Sequence, residues 1–343
     1  MTGLAVRGAA VVTLLAAGPA RAALTEAPRL TAVYNSILDA RFDRAEAQLK
    51  AACPPAPAEA CQVLGVISLW WQIQINPEIR TLDQKLEDAS AAAIAAGEAA
   101  TKREPRRAET WFYLSGAYAP RVQLRVLRGQ RLSAARDGKR IKDALERTLE
   151  LDPNIADAHF GIGAYHYYAD VAPAAAKMFR WLLLLPGGNR AQGLREMLEA
   201  RDRGELLRGE ADYQLHQLYL WYEQKPGDAV RLLEQLAARY PNNPLFRQRI
   251  AEVRRDYFHD HTGSADAWRT LLARAMSGAV YSASTAEVRA RMGLATELAA
   301  MNQLDEAIEQ LQIVIAMHPT EPPGAVERAE RQRRDVIAQQ SHR

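Results

Sequence analysis

Two histidines and an aspartate share one face of a predicted helix. His159, His166 and Asp170 fall within about 40° of one another on a helical wheel, and imidazole and carboxylate groups are ligands of transition metals. Their spacing, however, places successive side chains roughly 10 and 6 Å apart along the axis, which is too far for one compact site without a partner helix. We therefore interpret both histidines as interfacial side chains and predict no metal site and no cofactor.

Short catalytic motifs are missing from the sequence. It contains no Gly-x-Ser-x-Gly elbow, no His-Glu-x-x-His pair, no phosphate-binding loop and no dinucleotide fingerprint. Its acidic residues are scattered along amphipathic segments, where solvation and intrahelical pairs explain them. The expected work is noncatalytic, and the alternative is an enzyme whose site is assembled across several helices.

The elements that would position functional side chains are helices. Segments rich in Ala, Leu, Glu, Arg and Gln recur with helical periodicity, and alternating β-branched runs are scarce. With 343 residues, of which 48% are hydrophobic and 25% charged, the chain is long enough to bury a core. Because small side chains let helix axes approach closely, the frequent alanines favour an all-α stack.

The clearest repeat lies at 291–319. Small and apolar side chains there follow the spacing of a helix-turn-helix unit, at Leu294, Ala295, Leu298, Ala307, Val314 and Pro319. This unit resembles a tetratricopeptide repeat (TPR). The resemblance implies a TPR-like α-solenoid of roughly six helix pairs, with two expanded repeats and an apolar inserted segment. It implies one domain at 23–320, followed by a capping helix or polar tail at 321–343.

The N-terminal segment has the pattern of a secretory signal peptide. Arg7 precedes an apolar run, and Ala20-Arg21-Ala22 has the small-x-small pattern of a cleavage site. The apolar run is about half as long as the roughly 20 residues that a spanning helix needs. We expect 1–22 to be removed and the soluble chain to reach the periplasm or another exported location.

The chain has two cysteines, Cys53 and Cys61. In an exported protein they are candidates for a disulfide. Closing so small a loop would stabilise the fold by about 2.5 kcal/mol through loop-closure entropy. The alternative is two small core side chains.

An unusually apolar segment at 172–185 precedes a Pro-Gly-Gly turn. Its Leu-Leu-Pro element, with the Gly, Arg and Gly-Leu that follow, faintly resembles a eukaryotic mitochondrial outer-membrane and inclusion-clearance TPR family. That resemblance implies lipid-related biology. The alternatives are a helix buried against the repeats and a segment that fills the concave groove.

Four arginines form a predicted basic stripe, with successive spacings of four, three and three residues: Arg121, Arg125, Arg128 and Arg131. Arginine recognises carboxylates and phosphates, so an acidic peptide or anionic lipid headgroups would fit. The alternative is a solvated face whose arginines pair with acids elsewhere in the chain. Removing 1–22 leaves 42 basic (44 less Arg7 and Arg21) against 41 acidic residues, which argues against nucleic acid as a partner.

The resemblance to TPR proteins also implies a set of side chains that face a concave groove. These are Trp70, Phe112, Phe160, Tyr167, Tyr168, Leu218, Trp221 and Tyr222. Clustered aromatic rings offer a large contact area with few rotatable bonds. We therefore expect an exported scaffold or adaptor that holds an unidentified protein or peptide in this groove. The alternative is an envelope-associated protein that binds lipid or an apolar small molecule.

Overall fold

The computed structural model describes residues 24–171 and 187–341, and every regular element within these stretches is an α-helix. The helices are, in chain order, α1 (Ala27–Leu38), α2 (Phe42–Ala52), α3 (Ala58–Ile75), α4 (Asp83–Arg103), α5 (Ala108–Leu127), α6 (Arg131–Leu151), α7 (Ala158–Val171), α8 (Arg190–Arg203), α9 (Arg208–Trp221), α10 (Pro226–Arg239), α11 (Pro244–Phe258), α12 (His261–Met276), α13 (Ala283–Ala300), α14 (Leu304–Met317) and α15 (Ala325–Ser341). The all-α prediction is confirmed.

Consecutive helices pack as pairs, and the pairs stack into a helical-repeat solenoid. Within the described residues, seven pairs run from α1/α2 to α13/α14, and α15 covers the last pair. The sequence predicts roughly six pairs, one fewer than the described residues contain. The predicted apolar insert, 172–185, lies outside the described residues, as does the predicted signal peptide.

The small residues of the repeats act as contact points between backbones. A Cβ atom on Gly193 in α8 would lie 2.4 Å from the carbonyl oxygen of Gly163 in α7, and one on Gly163 would lie 2.7 Å from the carbonyl oxygen of Gly193. No side chain fits at such distances, so the two helices meet through their main chains.

The repeat at 291–319 forms as predicted. Leu294, Ala295 and Leu298 on α13 are buried with Ala307 and Val314 on α14, in a core that also holds Trp268. Ala329 and Val336 bring α15 onto the same core. The described part of 321–343 therefore contains a packed helix.

The first helices fold back onto later repeats. The hydroxyl of Tyr240 donates to Asn35 Oδ1 at 2.7 Å, and Asn243 Nδ2 donates to the carbonyl oxygen of Leu38 at 2.8 Å. The Arg289 guanidinium on α13 donates to the carbonyl oxygen of Ile75, at the end of α3, at 2.7 Å. These contacts join parts of the chain some 200 residues apart, so the solenoid closes on itself.

The structure joins Cys53 and Cys61 in a disulfide. The bridge spans the turn between α2 and α3 and so links these two helices. The pairing suggested by the sequence is therefore present. In the described stretches, no helix is both long and apolar enough to cross a membrane.

Candidate functional site

A cavity of about 260 Å³ lies where α1, α3, α5, α6, α7, α8 and α9 converge. Its described wall is mostly apolar, and six of its side chains are aromatic: Tyr34, Trp70, Phe112, Tyr113, Phe160 and Tyr168. The volume approaches the lower end of the range typical of small-ligand pockets. An apolar hollow of this size is suited to hold a bulky apolar group.

Small residues on α5 and α7 leave this space open. Gly116 and Ala119 on α5, and Gly161 and Ala164 on α7, line the cavity in place of larger side chains. Pro120 also lies on this wall, inside α5. Because proline has no N–H, it cannot complete the helical hydrogen bond to the carbonyl of Gly116. The small side chains and the missing hydrogen bond at Pro120 therefore both contribute to the shape of the hollow.

Glu210 is the central polar group of the wall. It lies in the first turn of α9 and is buried. Its Oε2 accepts hydrogen bonds from the Tyr34 hydroxyl at 3.0 Å and the Trp71 indole N–H at 3.1 Å, and its Oε1 accepts one from Gln214 Nε2 at 3.0 Å. Burial raises the pKa of Glu210, and these hydrogen bonds oppose the shift.

A second carboxylate, Asp157, lies on the same wall. Its two oxygens accept hydrogen bonds from the backbone N–H groups of Glu205, Leu206 and Leu207 at 2.7 to 3.0 Å. Burial raises the pKa of Asp157, and these three backbone donors oppose the shift. Asp157 therefore fixes the turn that leads into α9, and through it the cavity-lining side chains of Leu206 and Leu207.

Two polar atoms of the wall have no hydrogen-bond partner. The indole N–H of Trp70 and the hydroxyl of Tyr113 are buried and unpaired among the described residues. A buried donor without an acceptor costs about 1–3 kcal/mol. A small movement of either side chain toward a hydrogen-bond acceptor would therefore lower the free energy of the folded protein.

The structure brings only part of the predicted aromatic set together. Trp70, Phe112, Phe160 and Tyr168 line the cavity. Trp221, at the end of α9, is 61% exposed and does not line it. The prediction of one groove containing Trp221 as well is therefore wrong in geometry. Trp221 is left outside because α1 and α3 pack against α9 through Glu210 and Tyr213, earlier in that helix.

The three remaining predicted residues belong to a neighbouring core. Tyr167 and Leu218 are fully buried there. The ring of Tyr222 meets those of Tyr167 and Tyr168 edge-on, with centroids 5.8 and 6.0 Å away. The Tyr167 hydroxyl donates to Glu223 at 2.6 Å. Tyr167, Leu218 and Tyr222 pack in this neighbouring core and do not line the cavity. Tyr168, whose ring meets those of Tyr167 and Tyr222, does line it.

The predicted basic stripe is occupied by internal ion pairs. Arg121 makes two hydrogen bonds to Asp137, at 2.8 and 3.1 Å. Arg125 donates to Asp137 at 2.6 Å and to Glu87 at 3.3 Å. The alternative reading is met only in part: the arginines pair with acids elsewhere in the chain, but Arg121 and Arg125 are 11% and 19% exposed and do not form a solvated face.

The third arginine of the stripe is held in the same way. Arg128 donates to both carboxylate oxygens of Asp83 at 2.7 and 2.8 Å, and to the carbonyl oxygen of Pro77 at 2.8 Å. Arg131 is exposed at the start of α6. The structure thus does not present the four residues as one free basic face, and we correct that prediction.

Two of the three residues of the histidine face that opened the sequence analysis make contacts within the fold. His166 Nδ1 lies 2.7 Å from Glu196 Oε2, and Asp170 accepts the backbone N–H of Arg190 at 2.9 Å, so both contacts join α7 to α8. The Nδ1 atom of His159 is buried and has no hydrogen-bond partner among the described residues. Across the described residues, no group of three or more His, Cys, Asp or Glu side chains could hold a metal ion.

Sequence reasoning missed the polar groups of the cavity wall. Glu210 and Asp157 are isolated acids with no motif around them, and Tyr34 lies in a helix without a recognisable repeat element. Tyr113 is adjacent to the predicted Phe112, and that adjacency was the one signal available. Only the packing of distant helices identifies the other three.

No family model and no curated protein sequence matches the chain. Among solved structures, it is similar to YrrB, described as a TPR protein with an unusual peptide-binding site, at 14% identity and a TM-score of 0.42 over 69% of this chain and 98% of that one. It is also similar to the Cut9–Hcn1 hetero-tetramer of the APC/C, at 12% identity and a TM-score of 0.40 over 88% of this chain and 56% of that one. In the arrangement of its own stacked helix pairs the chain is TPR-like. The faint resemblance to the mitochondrial family is not supported.

Proposed function

We propose that this protein is a noncatalytic scaffold or adaptor that holds a segment of a partner protein, one side chain of which fills the central cavity. The observation that carries the proposal is the cavity itself, an apolar space of about 260 Å³ with six aromatic side chains in its wall. Helical-repeat proteins commonly use such inner surfaces for binding. A buried aromatic pocket is also the usual place for the side chain that dominates a protein interface.

The polar groups of the wall favour binding over catalysis. Both oxygens of Asp157 hold backbone N–H groups, and the hydroxyl of Ser115 donates to the carbonyl of Phe112 at 2.6 Å. The described residues that line the cavity include no His, Cys or Lys, and its two carboxyl groups, those of Glu210 and Asp157, each accept three hydrogen bonds from within the fold. The wall therefore supports recognition of a ligand better than its chemical conversion.

Filling the cavity should abolish binding of the partner segment. Ala119 on α5 and Ala164 on α7 both line the hollow. In the double variant Ala119→Leu/Ala164→Leu, the two larger side chains would occupy space that the ligand needs. We expect peptides selected by wild-type protein from a displayed dodecamer library to bind this variant at least 10-fold more weakly, or about 1.4 kcal/mol. Fluorescence anisotropy would measure the dissociation constants.

The matched control is Ala92→Leu, at an exposed position of α4. It adds the same side chain outside the cavity and should leave peptide affinity unchanged. Equal affinity of all three proteins for the selected peptides would exclude the cavity as the binding site. Failure of the wild type to select any peptide would refute the adaptor proposal.

An apolar small molecule or lipid is the second candidate. The apolar wall of the cavity is the feature that favours it. The apolar segment 172–185 lies outside the described residues, so this candidate rests on the cavity alone. Native mass spectrometry of the purified protein distinguishes the two. A bound lipid present in the wild type and absent from the cavity-filling variant would favour the small-molecule reading.

We also propose that the chain is exported. The pattern at 1–22 supports this location, and so does the disulfide, because disulfides persist chiefly in oxidising compartments. We expect the protein recovered from the periplasm of an expressing bacterium to begin at Ala23. N-terminal sequencing would test this, and recovery of the intact N-terminus from the cytoplasm alone would contradict it.

A further inference from the structure

The cavity wall has two carboxyl groups and no described basic side chain. Glu210 and Asp157 are its two ionisable acids, and no Lys, Arg or His is among the described residues that line it. This imbalance contrasts with the rest of the fold, where buried acids such as Asp137 have arginine partners. The asymmetry indicates which charge an occupant would carry.

Both acids accept three hydrogen bonds, two on one oxygen and one on the other. Asp157 is held by three backbone N–H groups, whereas Glu210 is held by side chains, two of which, Tyr34 and Gln214, line the cavity, and we take Glu210 as the acid that meets an occupant. Glu210 Oε2 accepts two hydrogen bonds and Oε1 accepts one, although a carboxylate oxygen has two acceptor positions. All three donors are neutral groups. One position on Oε1 therefore remains for a donor, and a charged donor would make the strongest bond.

The rest of the wall suits a cation on an apolar stem. Six aromatic side chains surround the space, and the faces of aromatic rings attract ammonium and guanidinium groups. Lysine and arginine bury their methylene stems against apolar surface while their charged ends reach polar groups. A purely apolar occupant would leave the open acceptor position on Glu210 Oε1 without a donor, which is unfavourable for a buried polar atom.

We propose that the cavity receives a cationic side chain, lysine or arginine, from the partner segment, with its apolar stem against the aromatic wall and its charge at Glu210. This inference rests on the proposed function, since it specifies the residue that the partner inserts. A free alkylammonium compound shares the same chemistry and is a separate outcome of the test.

Glu210→Gln tests the charge with little change of shape. The amide oxygen of glutamine can still accept from Tyr34 and Trp71, and Gln214 can turn its own amide oxygen toward the new NH₂ group. Glu297→Gln is the matched control, because Glu297 is also fully buried but lies on α13, paired with His261 and outside the cavity wall. Thermal unfolding of both variants would establish that each is folded.

The probes are a peptide selected by the wild-type protein from a dodecamer display library and the same peptide with its lysine or arginine replaced by norleucine. We expect the wild type and Glu297→Gln to bind the cationic peptide at least 10-fold more tightly than the norleucine peptide. Glu210→Gln should lose this preference. If Glu210→Gln does not fold, the comparison of the two peptides on the wild type decides alone.

Each other outcome counts against the inference in a distinguishable way. Selected peptides that carry no conserved cation, or equal affinity of wild type for both peptides, would overturn the cationic anchor and leave the adaptor function standing. Binding of n-butylammonium without binding of any peptide would overturn the partner side chain and the adaptor function together, and would assign the cavity to a small cation.

Discussion

Replacing Trp71 with alanine should destabilise the protein by about 3–5 kcal/mol. Trp71 is fully buried in α3. Its ring meets Tyr213 on α9 and Phe246 on α11, with centroids 5.1 and 6.0 Å away. Its indole N–H donates to Glu210. The substitution would leave a void between the first helices and the later repeats and would remove a donor from a buried carboxylate.

Chemical denaturation followed by circular dichroism would measure this loss. The control is Trp221→Ala, which makes the same change at a side chain that is 61% exposed. Substitutions at such surface positions usually change stability by less than about 0.5 kcal/mol. A similar, small effect of both substitutions would mean that α3 is not packed between α9 and α11 in solution.

The sequence predicts local structure well, because the signals for a helix pair are local. Leu294, Ala295 and Leu298 recur at helical spacing and are separated from Ala307 by one short turn. The residues that pack against one another within a unit therefore all lie within about 34 residues of sequence. The helices, their pairing and the last repeat follow from such patterns.

The closure of the solenoid cannot be predicted in this way. Tyr34 and Glu210 are 176 residues apart in sequence, and neither lies in a repeat motif. The repeat pattern defines neighbours one unit away, but it does not fix the small rotation between units that accumulates into curvature. Of the predicted groove residues, Trp70 on α3, Phe112 on α5, and Phe160 and Tyr168 on α7 line the cavity, whereas Trp221 at the end of α9 does not.

The basic stripe shows the same limit for charge. The spacing of Arg121, Arg125 and Arg128 correctly places them on one side of a helix. Their partners Asp83 and Glu87 lie on α4, and Asp137 lies on α6. The arginines of a stretch that contains no acids are therefore paired in the fold, because adjacent helices supply the carboxylates.

Removing the acid at the centre of that network should cost as much as removing a core tryptophan. The side chain of Asp137 is 4% exposed and lies 2.8 Å from Arg121 and 2.6 Å from Arg125. Asp137→Ala would leave Arg121, which is 11% exposed, without its carboxylate. Breaking a buried pair from one side typically destabilises a protein by about 3–5 kcal/mol, because the remaining charge stays desolvated. Denaturant unfolding would measure the change.

Asp143→Ala is the matched control on the same helix. Asp143 pairs with Lys139 at 2.6 Å, but both side chains are roughly half exposed, and an ion pair of this kind contributes about 0–1 kcal/mol. The difference between the two variants isolates burial, since both remove one aspartate from α6. Equal and small losses would show that the arginines of the stripe are solvated and free, and would restore that surface as a candidate for an acidic partner. A loss confined to Asp137→Ala would establish the stripe as part of the framework that holds α4, α5 and α6 together.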